Sequence, residues 1–132
     1  MSENIKEKYK AINLMAATTI SASANGTGVD VEIYEDDALV VVSGGGVISG
    51  SPSVVNVVKG SLPGTPTTYD QTLATFGALT ANSIAAARVN LFGIKNVRVE
   101  STLTGSTSIS QSVVLLAKPG VEAAGNNSST FA

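Results

Sequence analysis

Apolar residues recur at every second position through much of this chain, the period of a strand with one buried face. Val29, Val31 and Ile33 alternate with Asp30 and Glu32, and Ala87, Val89 and Leu91 alternate with Arg88 and Asn90. Val97, Val99 and Leu103 read as inward, with Arg98, Glu100 and Thr102 outward. Ile109, Val113 and Leu115 continue the pattern until Lys118-Pro119-Gly120 ends it. Nearer the N-terminus, 12–17 and 20–22 read as one strand or an interrupted pair. The unbroken apolar run 38–42 predicts a central strand covered on both faces. Residues 54–58 predict another strand, with Val55 and Val57 inward, closed by Lys59-Gly60.

Turn chemistry separates these runs. Asn25-Gly26-Thr27-Gly28 predicts a turn because Asn and Gly tolerate positive φ. Glu35-Asp36-Asp37 makes a polar corner, and the Gly-rich run 44–50 reads as a hairpin connection. Ser61-Leu62-Pro63-Gly64-Thr65-Pro66 is a loop, since its two prolines lack ladder donors. Gly93 to Asn96 and Gly105-Ser106-Thr107 turn the chain again. Segment 69–79 is ambiguous: Leu73, Phe76 and Leu79 fit one face of a short helix, whereas Thr68, Thr72, Thr75 and Gly77 favour an irregular strand.

About eight strands at roughly 8–12-residue spacing predict an all-β fold, a single antiparallel β-sandwich that is jelly-roll-like. The expected core is Val31, Ile33, Val40, Val42, Val55, Val57, Val89, Val97, Val99, Val113 and Leu115. With 132 residues, one domain is expected. It divides into an N-terminal arm (1–11), the sandwich (12–118) and a polar, flexible C-terminal tail (119–132).

Composition narrows the chemistry. The chain has no His, Cys or Trp, and charged residues make up 14% of it. Nucleophilic catalysis of the Ser-His-Asp or Cys-His type needs a base titrating near neutrality, so those mechanisms are excluded. Lys59, Lys95 and Lys118 sit beside turn glycines or prolines, where a depressed pKa for a Ser–Lys pair is not expected. Glu32, Glu35, Asp36 and Asp37 cluster, but their spacing matches no EF-hand loop, and the reading is a solvated strand corner. The run 44–50 departs from G-x-G-x-x-G at Ser49 and precedes no helix. No catalytic residue, metal site or cofactor is therefore expected. A net charge of −2 gives no general attraction to nucleic acid or an anionic membrane. No apolar run approaches a membrane-spanning helix or a secretory h-region, so cytoplasmic synthesis is the expectation.

Three stretches in order carry a resemblance. They are Thr19-Ile20-Ser21 through 25–31 with the strand 38–42, the Gly-rich link into 54–58, and Val89-Asn90-Leu91-Phe92-Gly93-Ile94-Lys95-Asn96-Val97-Arg98-Val99 followed by 104–107 and 112–116. From residue 16 to 117 the chain resembles the small β-sandwich decoration, or cement, proteins of tailed-phage capsids. It departs from them at Val57-Val58-Lys59-Gly60, where relatives often show an acidic, Ser-rich turn. The resemblance implies a virion structural protein, without enzymatic turnover, on the outer capsid surface. Its partners would be the major capsid protein and further copies of itself as a dimer or trimer. Two alternatives come from other classes: a carbohydrate- or host-surface-binding module using Tyr34 and Tyr69, and a hydrolase built on the 32–37 carboxylates.

The arm holds five of the 18 charged residues. It leads into Ile12, Leu14 and Met15, an apolar stretch at the sandwich margin. The expected capsid or inter-subunit contacts are Tyr9, Ile12, Leu14, Met15 and, as a terminal anchor, Phe131.

Overall fold

The computed structural model of the chain describes residues 9–49, 53–80, 82–104 and 108–120. These residues form nine strands and no helix: β1 (Lys10–Ile20), β2 (Ala24–Asn25), β3 (Val29–Asp30), β4 (Asp37–Ser49), β5 (Ser53–Ser61), β6 (Gln71–Thr75), β7 (Ile84–Asn90), β8 (Asn96–Thr104) and β9 (Ser108–Ala117). One sheet has the order β1-β9-β4-β7, the other β2-β8-β5-β6, and every pairing is antiparallel. β2 and β3 both pair with β8, through Ala24↔Ser101 and Val29↔Val97, so they share one strand position. Eight positions result, and the chain passes repeatedly from sheet to sheet. The fold is an antiparallel, jelly-roll-like β-sandwich.

Period-2 alternation fills the space between the sheets. Val31, Val40, Val42, Val89, Val97, Val99, Val113 and Leu115 are buried as expected, joined by Leu14, Ile20, Val54, Val58 and Ile109. Val55 and Val57 are only half-buried, because the inward row of β5 is Val54, Asn56, Val58. A polar Asn among valines steers the expected parity the wrong way, whereas Lys59 marks the outward row correctly. Ile33 is not core either: the strand that was to hold it stops at Asp30, and Ile33 lies exposed on a turn.

The local expectations fare unevenly. β4 is central in its sheet, yet only Ala38, Val40 and Val42 face the core; Leu39 and Val41 are half-buried on the outward side. Gly44-Gly45-Gly46 lies within β4, at a register shift against β9, and β4 and β5 belong to different sheets, so these glycines make no hairpin. Segment 69–79 is extended: β6 is followed by buried Phe76 and by buried Leu79, which bridges Val54. β1 starts at Lys10, two residues before the expected sandwich boundary. The turn expected at 105–107 and the tail beyond 120 lie outside the described residues.

Gly26 matters for lack of bulk rather than for positive φ. Its N–H donates to the Val99 carbonyl at 2.8 Å, and the Thr27 N–H donates to the Leu14 carbonyl at 3.1 Å. A Cβ on Gly26 would run into the Leu14 carbonyl oxygen and the Val99 side chain. Among the described residues the left-handed glycine is Gly93, at φ 76°.

One polar group crosses the core. Asn56 of β5 and Gln111 of β9 form a reciprocal amide pair, Asn56 Nδ2 donating to Gln111 Oε1 at 3.0 Å and Gln111 Nε2 donating to Asn56 Oδ1 at 3.0 Å. The Ser101 hydroxyl donates to Asn56 Oδ1 at 2.5 Å, and Gln111 Nε2 also approaches Met15 Sδ at 3.2 Å. Asn56, Ser101 and Gln111 are all buried. Removing one partner strands the others without water, at about 1–3 kcal/mol per unsatisfied group, whereas replacing all of them with apolar side chains is far less costly. Asn56→Leu should therefore lower the unfolding free energy by about 1–3 kcal/mol, read as a lower urea midpoint. Asn56→Leu/Ser101→Ala/Gln111→Met should recover most of that loss. A triple variant less stable than the single one would refute this account.

Candidate interaction surface

The sequence-expected site residues scatter once folded. Leu14 and Met15 are core, so they offer no outward surface, and Ile12 is half-buried against the same cluster. Tyr9 is exposed beside Lys118, whose Nζ lies 5.8 Å from the ring centroid. Phe131 lies outside the described residues. Tyr34 packs against the core and Tyr69 is half-buried, with the Arg98 guanidinium 4.2 Å from its ring centroid and its hydroxyl over Gly28. Neither ring forms an open platform.

The acidic run 32–37 does not converge. Glu32 pairs with Lys95 at 2.9 Å, Glu35 with Lys118 at 3.5 Å and Asp37 with Arg88 at 3.4 Å. Among the described residues no group of three or more acidic side chains could hold a metal ion. Lys95 also reaches Asp30 at 2.6 Å.

What gathers instead is apolar. The exposed large hydrophobic residues among the described ones are Phe92 (76% exposed), Ile84 (74%), Ile33 (57%), Tyr9 (41%) and Leu62 (39%). All but Ile84 lie at one end of the sandwich, where β1 begins, β9 and β7 finish, β4 begins and β5 finishes. Backbone bonds tie this end together: Glu35 N–H to Lys118 O at 2.7 Å, Gly120 N–H to Ile33 O at 2.7 Å, and Lys95 N–H to Ser61 O at 2.7 Å.

Two of these residues sit on turns built alike. In the first, Asp30 Oδ1 accepts the Glu32 N–H at 2.9 Å and buried Val31 accepts the Tyr34 N–H at 3.0 Å, leaving Ile33 outside. In the second, Asn90 Oδ1 accepts the Phe92 N–H at 2.9 Å and buried Leu91 accepts the Ile94 N–H at 3.0 Å, leaving Phe92 outside. An Asx side chain bonding the backbone two residues on stiffens each turn. Gly93, with φ 76°, supplies the positive φ that a type II turn requires at its third position. The turns also brace each other: Val31 N–H donates to Lys95 O at 2.9 Å, and Leu91 N–H donates to Asp36 O at 2.7 Å. Sequence reasoning missed this pair. Asp30 and Asn90, each two residues ahead of a turn residue, and Gly93 behind Phe92 are the signals that would have found it.

The two outward sheet faces also differ. On β1-β9-β4-β7, Ala11, Leu116, Leu39 and Arg88 lie in one row, with Asn13, Val114, Val41 and Ala86 in the next. On the other sheet the outward rows carry Lys59 beside Arg98, and Val57 beside Glu100. Arg98 donates to Glu100 at 2.8 Å.

Comparisons place the fold among known ones. No family model matches the chain, and no curated protein matches it in sequence. Among solved structures it is similar to YomS, a protein derived from the SPBc2 prophage, with a TM-score of 0.52 and 12% identity, over 82% of this chain and 92% of YomS. It is also similar to a chain of infectious bursal disease virus, Gx strain, with a TM-score of 0.50 and 11% identity, over 85% of this chain. The match covers 32% of that viral chain, so the whole viral protein extends well beyond the shared sandwich. At such identities the likeness concerns fold.

The Lys95 cluster generates a pH prediction. Hydrogen bonds to Asp30 and then Glu32 hold the Lys95 ammonium above its ordinary range, while the bond from Lys95 and then the Glu32 N–H hold the Asp30 carboxyl below its own. The Asp30 contribution is present above its unfolded pKa of about 3.9 and disappears as pH falls through the lower folded value. The Lys95 contribution is present below about 10.4 and disappears as pH rises through the higher folded value. The Tm difference between wild type and Lys95→Met should thus stay level from about pH 5 to 9 and narrow outside that window. A difference that changes between about pH 6 and 7 would contradict the assignment.

Proposed function

We propose that this chain is a structural virion protein that binds the outer surface of a tailed-phage capsid and stabilises it, as a decoration protein. The observation that carries the reading is a jelly-roll-like sandwich that keeps large apolar side chains in water on braced turns. Exposed apolar groups at one place mark contact surfaces for other proteins. The likeness in fold to a prophage-derived protein and to a viral chain, and the resemblance of 16–117 to capsid decoration proteins, support the same reading. The stabilising action follows from repetition: each bridge between shell subunits is modest, and many bridges together resist separation.

The protein is proposed to act as a homo-oligomer, dimer or trimer, matching the local symmetry axes of a shell. The outward face of β1-β9-β4-β7, where Leu39, Val41, Val114 and Leu116 lie between Asn13 and Arg88, is the surface that supports self-contact. A sedimentation profile that stays monomeric both free and on the shell would refute that part.

Purified protein mixed with emptied shells of the phage whose genome encodes it should co-sediment with them and saturate at a fixed ratio per shell subunit. The decorated shells should also rupture at a higher temperature than bare ones. Absence of saturable binding, with the protein folded, would overturn the proposal.

A further inference from the structure

Resting on the homo-oligomer part of that reading, we infer that β7 is a docking edge for a second copy, the two copies joining β7 to β7 as antiparallel strands about a twofold axis at Ala87. A sheet edge presents a row of backbone donors and acceptors that fits another strand, and proteins blunt the edges they keep apart. Among the described residues, three of the four sheet edges are blunted. β1 is broken by two register shifts, and its Leu14 carbonyl is taken by the Thr27 N–H at 3.1 Å. β2 and β3 have two residues each, and β6 has five with a register shift against β5. β7 has seven, pairs with β4 without a shift, and contains neither proline nor glycine. Residues 82–86 are exposed, Ala85 included, although its row faces the core.

The register identifies the free groups of β7. Gly44 N–H donates to Ser83 O and Leu91 N–H donates to Asp36 O, each at 2.7 Å and on the register of the strand pair itself. Bonded and non-bonded pairs alternate in an antiparallel ladder, so residues 85, 87 and 89 exchange the bonds with β4. Ile84, Ala86, Arg88 and Asn90 turn their N–H and C=O groups outward. These groups have no partner among the described residues.

A second β7 matches them. With Ala87 on the axis, Ile84 stands opposite Asn90 of the second copy and Ala86 opposite its Arg88, so every outward group meets its complement. Arg88, the one charged residue of β7, then faces a methyl group instead of a like charge. Asp36 and Asp37, beside the Asn90 end, lie toward residues 82–84 of the second copy, which carry no charge. A foreign partner would need an open edge of its own with this spacing, whereas a twofold supplies it from the same sequence. The outward rows that end in Arg88 and Ala86 continue across the axis, so the sheet face and its edge form one self-contact surface.

Sedimentation equilibrium of the full chain, without shells, is the first test. One seven-residue strand pair is a small interface, so the dimer should dissociate at roughly micromolar concentration. Ala86→Pro removes an N–H that β4 does not use, and it should weaken association at least about tenfold while thermal melting shows a folded monomer. The chain has no cysteine, so an introduced one reports its own surroundings. Ala87 would oppose itself in a non-bonded pair, with Cα atoms about 4.5 Å apart and within reach of a disulfide. On oxidation with diamide, Ala87→Cys should form linked dimers at least about tenfold faster than Ala85→Cys, although residue 85 is the more exposed. Equal rates, or faster linkage through residue 85, would overturn the inference whatever the proline variant does. So would wild-type association in a folded Ala86→Pro. A wild type that stays monomeric at every concentration also overturns it, and shell binding, measured separately, still decides the decoration reading.

Discussion

The Asn56–Gln111 amide pair is the constraint on which the arrangement of this molecule depends. A core of valine, leucine and isoleucine pulls two sheets together without direction and tolerates many relative positions. An amide pair inside that core does not. Gln111 of β9 and Asn56 of β5 satisfy each other across the gap, with Ser101 completing the set. Sliding one sheet would leave buried donors and acceptors unmet. The node thus converts non-directional attraction into one alignment of the sheets, a specificity that buried polar networks provide when fully satisfied.

That alignment reaches the surface through the turns. The turn holding Ile33 carries the chain from β3 to β4, and the turn holding Phe92 carries it from β7 to β8, so both cross between the sheets, in opposite directions. The Val31–Lys95 bond continues the β3–β8 ladder and the Leu91–Asp36 bond continues the β4–β7 ladder, so each turn is fastened at one end to each sheet. Leaving such residues in water forgoes about 1.5–3 kcal/mol of burial for each, and the braced turns hold them there.

Much of the fold was legible because period-2 alternation is strong wherever one row is charged, as along β7 and β8, where Arg88, Arg98 and Glu100 mark the outward side. It misled where both rows are apolar. On β5 four valines flank Asn56, and polarity pointed Asn56 outward although its partner lies 55 residues away in the other sheet. No local signal reports that partner. Ile33 failed for a related reason, since alternation continues through 29–33 while the Asp30 bond to the Glu32 N–H ends the strand. The glycines of 44–46 were read for turn propensity, yet they serve a bulged strand passing close to β9, where a Cβ on Gly45 would meet the Ser110 side chain. The candidate surface was less legible than the fold. Tyr9 was expected there, but Phe92 and Ile33 become a site only when the topology brings their turns together.

The proposed decoration role is tested most directly by electron cryomicroscopy of emptied shells mixed with an excess of the protein. The proposal predicts density for the sandwich at saturable, symmetry-related sites on the outer surface. Shells that stay bare while the protein is folded would contradict it.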